Sequence, residues 1–378
     1  MKRQRLEKYV CDFYIPLVLA VGGFGYVFRD IASLSIVLLT PALLLTGKNK
    51  QNVFFLAYLS TTFIYSLATT QYFGLGINTH DFLAIVICYS IFSFCAKNVD
   101  LLKSSRYFRK LIFLQLLISI AVGMIESNFY SGGSVLPHRF LGATLNPNQL
   151  GLYAFATGVI IWYLPNAVSQ KYVWCSICLI VAISSGSDAV FAAIIVTLLM
   201  ALTRAPTLRI IAILAAVILV MFSPFLVPDG SVDFLAQQQV FERLNRWLFV
   251  IPLVFEYPLV VLVGFGPGPY GPSFENTFLS GVIVPGNSDI SATEFHNSIL
   301  DFFVSFGVIG TVIFGRAILT CCGRIQYSPL FFGLVTFSLF HLSYRHPIFW
   351  VAILFAIIGP SGLSSVITKQ SLASKTYQ

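Results

Sequence analysis

The stretch that decides the fold is EFHNSILDFFVSFGVIG, residues Glu294–Gly310. It closes the one long polar interval of an apolar chain and then enters a helical pattern, with His296 and Asn297 at the boundary between water and lipid. Apolar and small residues then share one face of that helix, namely Leu300, Phe303, Gly307 and Gly310. A histidine at such a helix start is reachable from water and suited to proton transfer, whereas the plainer interpretation is a His–Asn pair that caps the helix.

The composition is that of an integral membrane protein, with 57% hydrophobic and 10% charged residues. Apolar runs of roughly 15–20 residues recur along the chain, as membrane-spanning helices require. We therefore predict an all-α polytopic membrane protein with about 12 transmembrane helices. It forms a single membrane domain, residues 1–378, and residues 227–295 make one long loop between helices 9 and 10. The net charge of +8 then reports orientation and does not predict a nucleic-acid partner.

The predicted spans follow one another at short intervals, apart from that one loop. They are Tyr14–Phe28, Ile31–Leu45, Val53–Thr70, Phe82–Cys95, Leu111–Ile125, Gln149–Leu164, Val173–Ser184, Val190–Leu202, Ile210–Phe225, Ile299–Leu319, Leu330–Leu342 and Phe349–Ile358.

The basic residues divide unevenly between the two sides of this threading. With the N-terminus inside, 18 of the 23 Lys and Arg residues fall on the inner side, which predicts cytoplasmic termini and a periplasmic loop. The remaining five are all arginine: Arg29, Arg139, Arg243, Arg246 and Arg345. Arginine offers a planar fork of donors that binds phosphate oxygens bidentately, although 13 of the 23 are Arg and chance alone can produce this pattern.

The outer face therefore carries the residues suited to chemistry. Its first interval, HRFLGATLNPNQLG, has Asn146 placed to cap a helix and Pro147 suited to its first turn. The capping role of Asn146 does not explain why Arg139 lies a few residues before a predicted membrane span. In the SSGSDA break, one carboxylate is weak grounds for acid–base work, and the helix N-cap position is the favoured interpretation for Asp188.

The long loop holds Arg243 and Arg246 three residues apart in a helical pattern, so both point the same way. Glu242 offers Arg246 an ordinary ion pair as the structural alternative. GFGPGPYGPSF, residues Gly264–Phe274, is a Gly/Pro turn segment. A last outer turn groups four polar residues for which a structural role is favoured: His341, Tyr344, Arg345 and His346.

Motifs for metal or serine chemistry do not occur in the sequence. It contains no H-E-x-x-H, no D-x-D at a membrane exit and no G-x-S-x-G. We predict no metal and no cofactor, and an outer-face site made of arginines and one histidine.

Four pieces of this pattern, in order, resemble the bacterial O-antigen ligase and O-antigen polymerase superfamily. They are Arg139, Gly142 and Asn148; the Ser184–Ala189 break; Arg243 or Arg246 with Trp247, Pro258 and GFGPG; and His296-Asn297 with Gly307 and Gly310. The break departs from the family, which often has an arginine where this chain has Asp188. Arg345 is the candidate substitute.

The resemblance implies a GT-C-like, metal-independent glycosyltransferase of the bacterial inner membrane. Its donor would be an undecaprenyl-diphosphate-linked glycan, with His296 as the base that activates the acceptor hydroxyl. The expected diphosphate and glycan ligands are Arg139, Arg243, Arg246, Asn148, Asn297 and Arg345. The resemblance also suggests a chain-length regulator and a flippase as partners, beside the lipid bilayer.

Three functions fit this pattern to different degrees. The small size, the Phe-rich sequence and the compact loop favour a polymerase of O-antigen or capsular repeat units over an O-antigen ligase that transfers the glycan to lipid A-core. A polysaccharide-lipid flippase or other transporter is the rival of a different class. It should carry charged or broken helices at the membrane midplane, whereas here charge lies at the outer ends.

Overall fold

The structure is a computed structural model that describes the chain in separate stretches. These are residues 2–21, 40, 43, 52, 55–64, 79–131, 138–144, 146–165, 168–203, 207–208, 210–211, 214–215, 218, 255, 258–264, 297–322, 328–341 and 343–358.

The described residues are almost all helical, as the apolar runs predict. The first elements are α1 (Lys2–Tyr9), a π-helical turn (Val10–Tyr14), α2 (Ile15–Val21), α3 (Phe55–Ile64), α4 (Thr79–Lys97), α5 (Val99–Ser104) and α6 (Arg106–Ile125). Then follow β1 (Phe129–Ser131), β2 (His138–Phe140), a 3₁₀ turn (Gly142–Thr144), α7 (Pro147–Tyr163), α8 (Val168–Ser184) and α9 (Asp188–Leu202). The last are α10 (Pro258–Val263), α11 (Ser298–Cys322), α12 (Pro329–Ser338), a 3₁₀ turn (Ser343–Arg345) and α13 (Pro347–Ile358).

Two helices combine the length and the apolarity needed to cross a bilayer. Within the described stretches these are Arg106–Ile125 and Ser298–Thr320. The shorter apolar helices coincide in sequence with predicted spans: Phe55–Ile64, Phe82–Lys97, Ser169–Ser184, Asp188–Leu202, Pro329–Ser338 and Pro347–Ile358. The all-α membrane class is thus consistent with the structure, and the count of about 12 spans stays a prediction.

The elements outside the predicted spans differ from expectation in two places. The helix predicted to start at Tyr14 already begins at Lys2, because the basic N-terminal residues continue the helix instead of preceding it. The interval before α7, for which no secondary structure was predicted, contains an antiparallel hairpin that pairs Tyr130 with Arg139. Backbone pairing in this hairpin holds the arginine at a defined register.

Most of the buried apolar residues that the structure describes form one hydrophobic core, and Val196 and Met200 form a small second cluster. α7 lies against α8, α9 against α12, and α10 against α11. Aromatic side chains fill much of the interior; Phe302 and Phe314, for example, have ring centroids 4.7 Å apart, and Phe314 meets Trp350 edge to face at 5.0 Å. This packing brings α13 beside the helix that starts after His296.

Candidate functional site

Arg139 joins three segments that are separate in the sequence and that the threading predicts to lie on the outer face. From β2, its Nε donates to the carbonyl oxygen of Ser185 at 3.2 Å, and its Nη2 donates to Oδ1 of Asn148 at 3.2 Å. The hairpin, the start of α7 and the serine-rich break therefore meet at one guanidinium, which is partly exposed. The sequence singled out all three pieces, and the structure brings them together.

The local backbone explains why these segments meet. Asn146 caps α7, its Oδ1 accepting from the backbone N–H groups of Asn148 at 2.9 Å and Gln149 at 3.2 Å, and Pro147 opens the helix as predicted. One turn later Gly151 lies so close to the break that a Cβ there would be 2.8 Å from Oγ of Ser185. A larger residue at this position would push the break away from Arg139.

Asp188 does not occupy the position predicted for it. The N-cap residue of α9 is Ser187, with extended backbone angles, and Asp188 is the first residue of the helix itself. A carboxylate in the first helical turn is favoured by the helix dipole, which accounts for its residue type.

The second group of outer residues surrounds the start of α11. Asn297 is buried and caps the helix, its Oδ1 accepting from the N–H groups of Ile299 at 3.0 Å and Leu300 at 3.1 Å. Capping therefore accounts for Asn297, in agreement with the plainer interpretation of that residue. His296 precedes it and lies outside the described residues.

The first turn of α11 is tied to the outer turn between α12 and α13. The hydroxyl of Ser298 donates to the carbonyl of His341 at 2.5 Å and accepts from the N–H of Ser343 at 2.8 Å. Asp301, one turn further and 1% exposed, accepts from the hydroxyl of Tyr344 and forms an ion pair of 3.3 Å with Nη2 of Arg345. The polar residues of this turn thus have the structural contacts expected of them.

The imidazole of His346 is a poor candidate for a general base. Burial and then the positive charge of Arg345 lower its pKa from the ordinary value of 6.5 to about 4. A group with so low a pKa takes up a proton weakly at neutral pH. His346 instead packs edge to face on Tyr153 of α7, with centroids 6.3 Å apart, and so links the two outer groups.

The loop segment before the GFGPG turn is packed into the helical domain. Gly264 (φ +84°) directly follows α10, and its backbone meets that of α11 at Gly307 (φ +62°, ψ −174°), where α11 kinks. The hydroxyl of Tyr58, from α3, lies 3.2 Å from the carbonyl oxygen of Val263 and 2.5 Å from that of Phe306. Part of the predicted loop is therefore a short helix fixed against α11, about 13 Å along the axis from its start.

The chain is similar to a known protein family over part of its length. Residues 172–315 match the family described as O-antigen ligase. The matched segment is less than half of the chain. No curated protein matches the chain. The family match supports the resemblance of the motifs to the O-antigen ligase and polymerase superfamily.

The O-antigen ligase match covers only part of the candidate site. The serine-rich break, Arg243, Arg246, the GFGPG turn and the HN pair fall inside residues 172–315. Arg139 and Asn148 precede the matched segment, and Arg345 follows it. The contact of Arg139 with Ser185 is thus one that joins a residue outside the match to one inside it.

The predicted site residues divide into two sets. The structure describes Arg139, Asn148, Asn297 and Arg345, and their roles as ligands stay predictions. Arg243, Arg246 and His296 lie outside the described residues, as does the loop 227–295 except for residues 255 and 258–264. Among the described residues, no group of three or more His, Cys, Asp and Glu side chains is arranged to hold a metal ion.

Proposed function

We propose that the protein is a polymerase that joins undecaprenyl-diphosphate-linked oligosaccharide repeat units of an O-antigen or capsular polysaccharide. The supporting observation is the convergence of β2, α7 and the serine-rich break on the guanidinium of Arg139. A planar guanidinium held by two acceptors is oriented in advance, which lowers the entropic cost of binding a diphosphate.

The proposed reaction is an inverting, metal-independent transfer. The acceptor hydroxyl attacks the anomeric carbon from the side opposite the diphosphate while His296 takes its proton. The bond from the anomeric carbon to the diphosphate oxygen breaks, and the lipid diphosphate leaves with the electron pair. A diphosphate needs no general acid, but the charge that develops on it must be neutralised, and Arg139, Arg243 and Arg246 are the residues proposed to do so.

The remaining predictions follow from this assignment. We propose a GT-C-like fold in the inner membrane with about 12 spans, both termini cytoplasmic and the active site periplasmic. We propose that Asn148 and Asn297 contribute to the glycan-binding site from the starts of α7 and α11, where they lie. A chain-length regulator and a flippase are the proposed partners, since a polymerase consumes repeat units delivered to the outer leaflet.

An O-antigen ligase that transfers the glycan to lipid A-core is the second candidate, because the matching family is described by that activity. Deleting the gene in its host and separating the lipopolysaccharide on a gel tests both. We expect lipid A-core that carries a single repeat unit in place of the ladder. Loss of all O-antigen would assign the ligase, and an unchanged ladder would refute both functions.

A further inference from the structure

Arg345 is bound to a buried carboxylate of the helix that follows the HN pair. Its Nη2 lies 3.3 Å from Oδ2 of Asp301, and its Nε donates to the hydroxyl of Tyr344 at 3.2 Å. The same hydroxyl donates to Oδ2 of Asp301. Oδ2 of Asp301 therefore contacts both Tyr344 and Arg345, and these two side chains also contact each other.

This arrangement is buried, and its charges therefore depend on each other. The side chain of Asp301 is 2% exposed and that of Arg345 is 16% exposed. A buried carboxylate that loses a countercharge is strongly destabilised, whereas replacing both members of the pair by neutral residues leaves no unpaired charge. The turn that supplies the partners is itself anchored, because Nε1 of Trp350 donates to the carbonyl of Tyr344 at 2.7 Å.

The arrangement acts on the first turn of α11 at two points on one face. Ser298 and Asp301 are three residues apart, so both side chains face the same turn, and both contact it. Between them they hold the first turn of α11, whose N-cap residue is Asn297. In the sequence, His296 directly precedes Asn297.

We infer that Arg345 is a positioning residue: through Asp301 and Tyr344 it orients the start of α11 for catalysis and does not bind the diphosphate of the donor. This inference rests on the proposed transfer and assigns Arg345 a role other than the ligand role predicted from the sequence. It names Asp301 and Tyr344 as functional residues that motif comparison missed. Their only signals in the sequence were an acidic residue in a helix start and a polar outer turn.

The test compares Arg345→Gln, Asp301→Asn and the double variant Asp301→Asn/Arg345→Gln, all purified in lipid nanodiscs. A synthetic undecaprenyl-diphosphate-linked repeat unit serves as donor and acceptor. Donor affinity and the number of binding-competent sites are measured first, and the transfer rate is then expressed per bound donor. A role limited to folding would lower the number of sites and leave the rate per site unchanged, which would overturn the inference.

We expect Arg345→Gln to bind donor as the wild type does and to transfer about tenfold to a hundredfold more slowly per bound donor. The double variant should recover most of that loss, because Asp301 is no longer a buried uncompensated charge. Donor binding weakened about tenfold or more in Arg345→Gln, with no recovery in the double variant, would show that Arg345 binds the diphosphate directly.

Two further variants keep the outcome decisive. Tyr344→Phe removes one hydroxyl and keeps both charges, so it should fold and should show the same slower rate at unchanged affinity. If Arg345→Gln fails to fold, normal transfer by Tyr344→Phe overturns the inference. Arg106→Gln, at an exposed position at the start of α6, is the matched control. If wild type and control both transfer no glycan, the proposed function fails and not the role of Arg345.

Discussion

Gly264 and Gly307 lie backbone against backbone, where the end of α10 meets the kink of α11. A Cβ on Gly264 would be 2.2 Å from the carbonyl oxygen of Ser305, and one on Gly307 would be 2.4 Å from that of Leu262. Both residues also have positive φ angles that L side chains rarely adopt. Gly307, one of the two glycines predicted to share a face of α11, therefore allows the two backbones to approach closely.

Replacing Gly307 by alanine is expected to lower the yield of folded protein. The strained backbone angle alone costs about 1–3 kcal/mol for a residue with a Cβ, and the overlap with Leu262 adds to it. Gly315→Ala in the same helix is the control, since a Cβ there meets nothing within 4 Å. Thermal unfolding in detergent measures both. Equal unfolding temperatures would contradict the close approach.

Tyr58→Phe is expected to destabilise the protein by about 1–3 kcal/mol, because it removes the donor shared by the carbonyls of Val263 and Phe306. Tyr107→Phe, at a side chain 54% exposed, serves as the control. Unfolding temperature is again the measurement. A Tyr58→Phe protein as stable as this control would mean that the hydroxyl does not hold α10 on α11.

Arg139→Lys is expected to impair glycan transfer nearly as much as Arg139→Ala. Lysine keeps the charge, but a single ammonium group does not reproduce the contacts with Ser185 and Asn148 together with a fork for phosphate. The same result is expected for at least one of Arg243 and Arg246. Transfer and donor binding are measured with Arg106→Lys as the control. Full activity in all three lysine variants would show that a positive charge is sufficient and would contradict bidentate binding by arginine.

His296→Ala is expected to abolish transfer while donor binding stays largely intact, and EDTA is expected to have no effect. Loss of a general base lowers rates by about 10²–10⁴-fold, whereas donor affinity should come from the arginines and the lipid chain. If His296 only helped to cap the helix, the variant should give less folded protein. A normal yield of purified variant without transfer therefore indicates the general base, with His80→Ala as the control. Normal turnover would remove His296 from the mechanism, and inhibition by EDTA would indicate a metal.

Reporter fusions are expected to place Gly230 in the periplasm and Gln378 in the cytoplasm, because of the uneven division of basic residues. Alkaline phosphatase fused at each position gives activity only on the periplasmic side. An active fusion at Gln378, or an inactive one at Gly230, would overturn the threading and the proposed location of the active site.

The sequence by itself indicated an all-α membrane protein and predicted candidate site residues, whose roles stay predictions. Apolar runs long enough for a bilayer predict helices because an unpaired backbone is too costly in lipid. Ordered local motifs indicate the superfamily, and the local cap at Asn146 follows from neighbouring residues alone, which is why it was predicted correctly.

Only the tertiary structure decided which of these residues touch. The ion pair of Arg345 with Asp301 spans 44 positions, and the contact of Tyr58 with Phe306 spans 248. Such partners are chosen by how helices pack, and packing depends on side chains from the whole core, so a single residue type carries no local signal for it. For this reason the sequence suggested Arg345 as a phosphate ligand, whereas the fold pairs it with the buried carboxylate of Asp301.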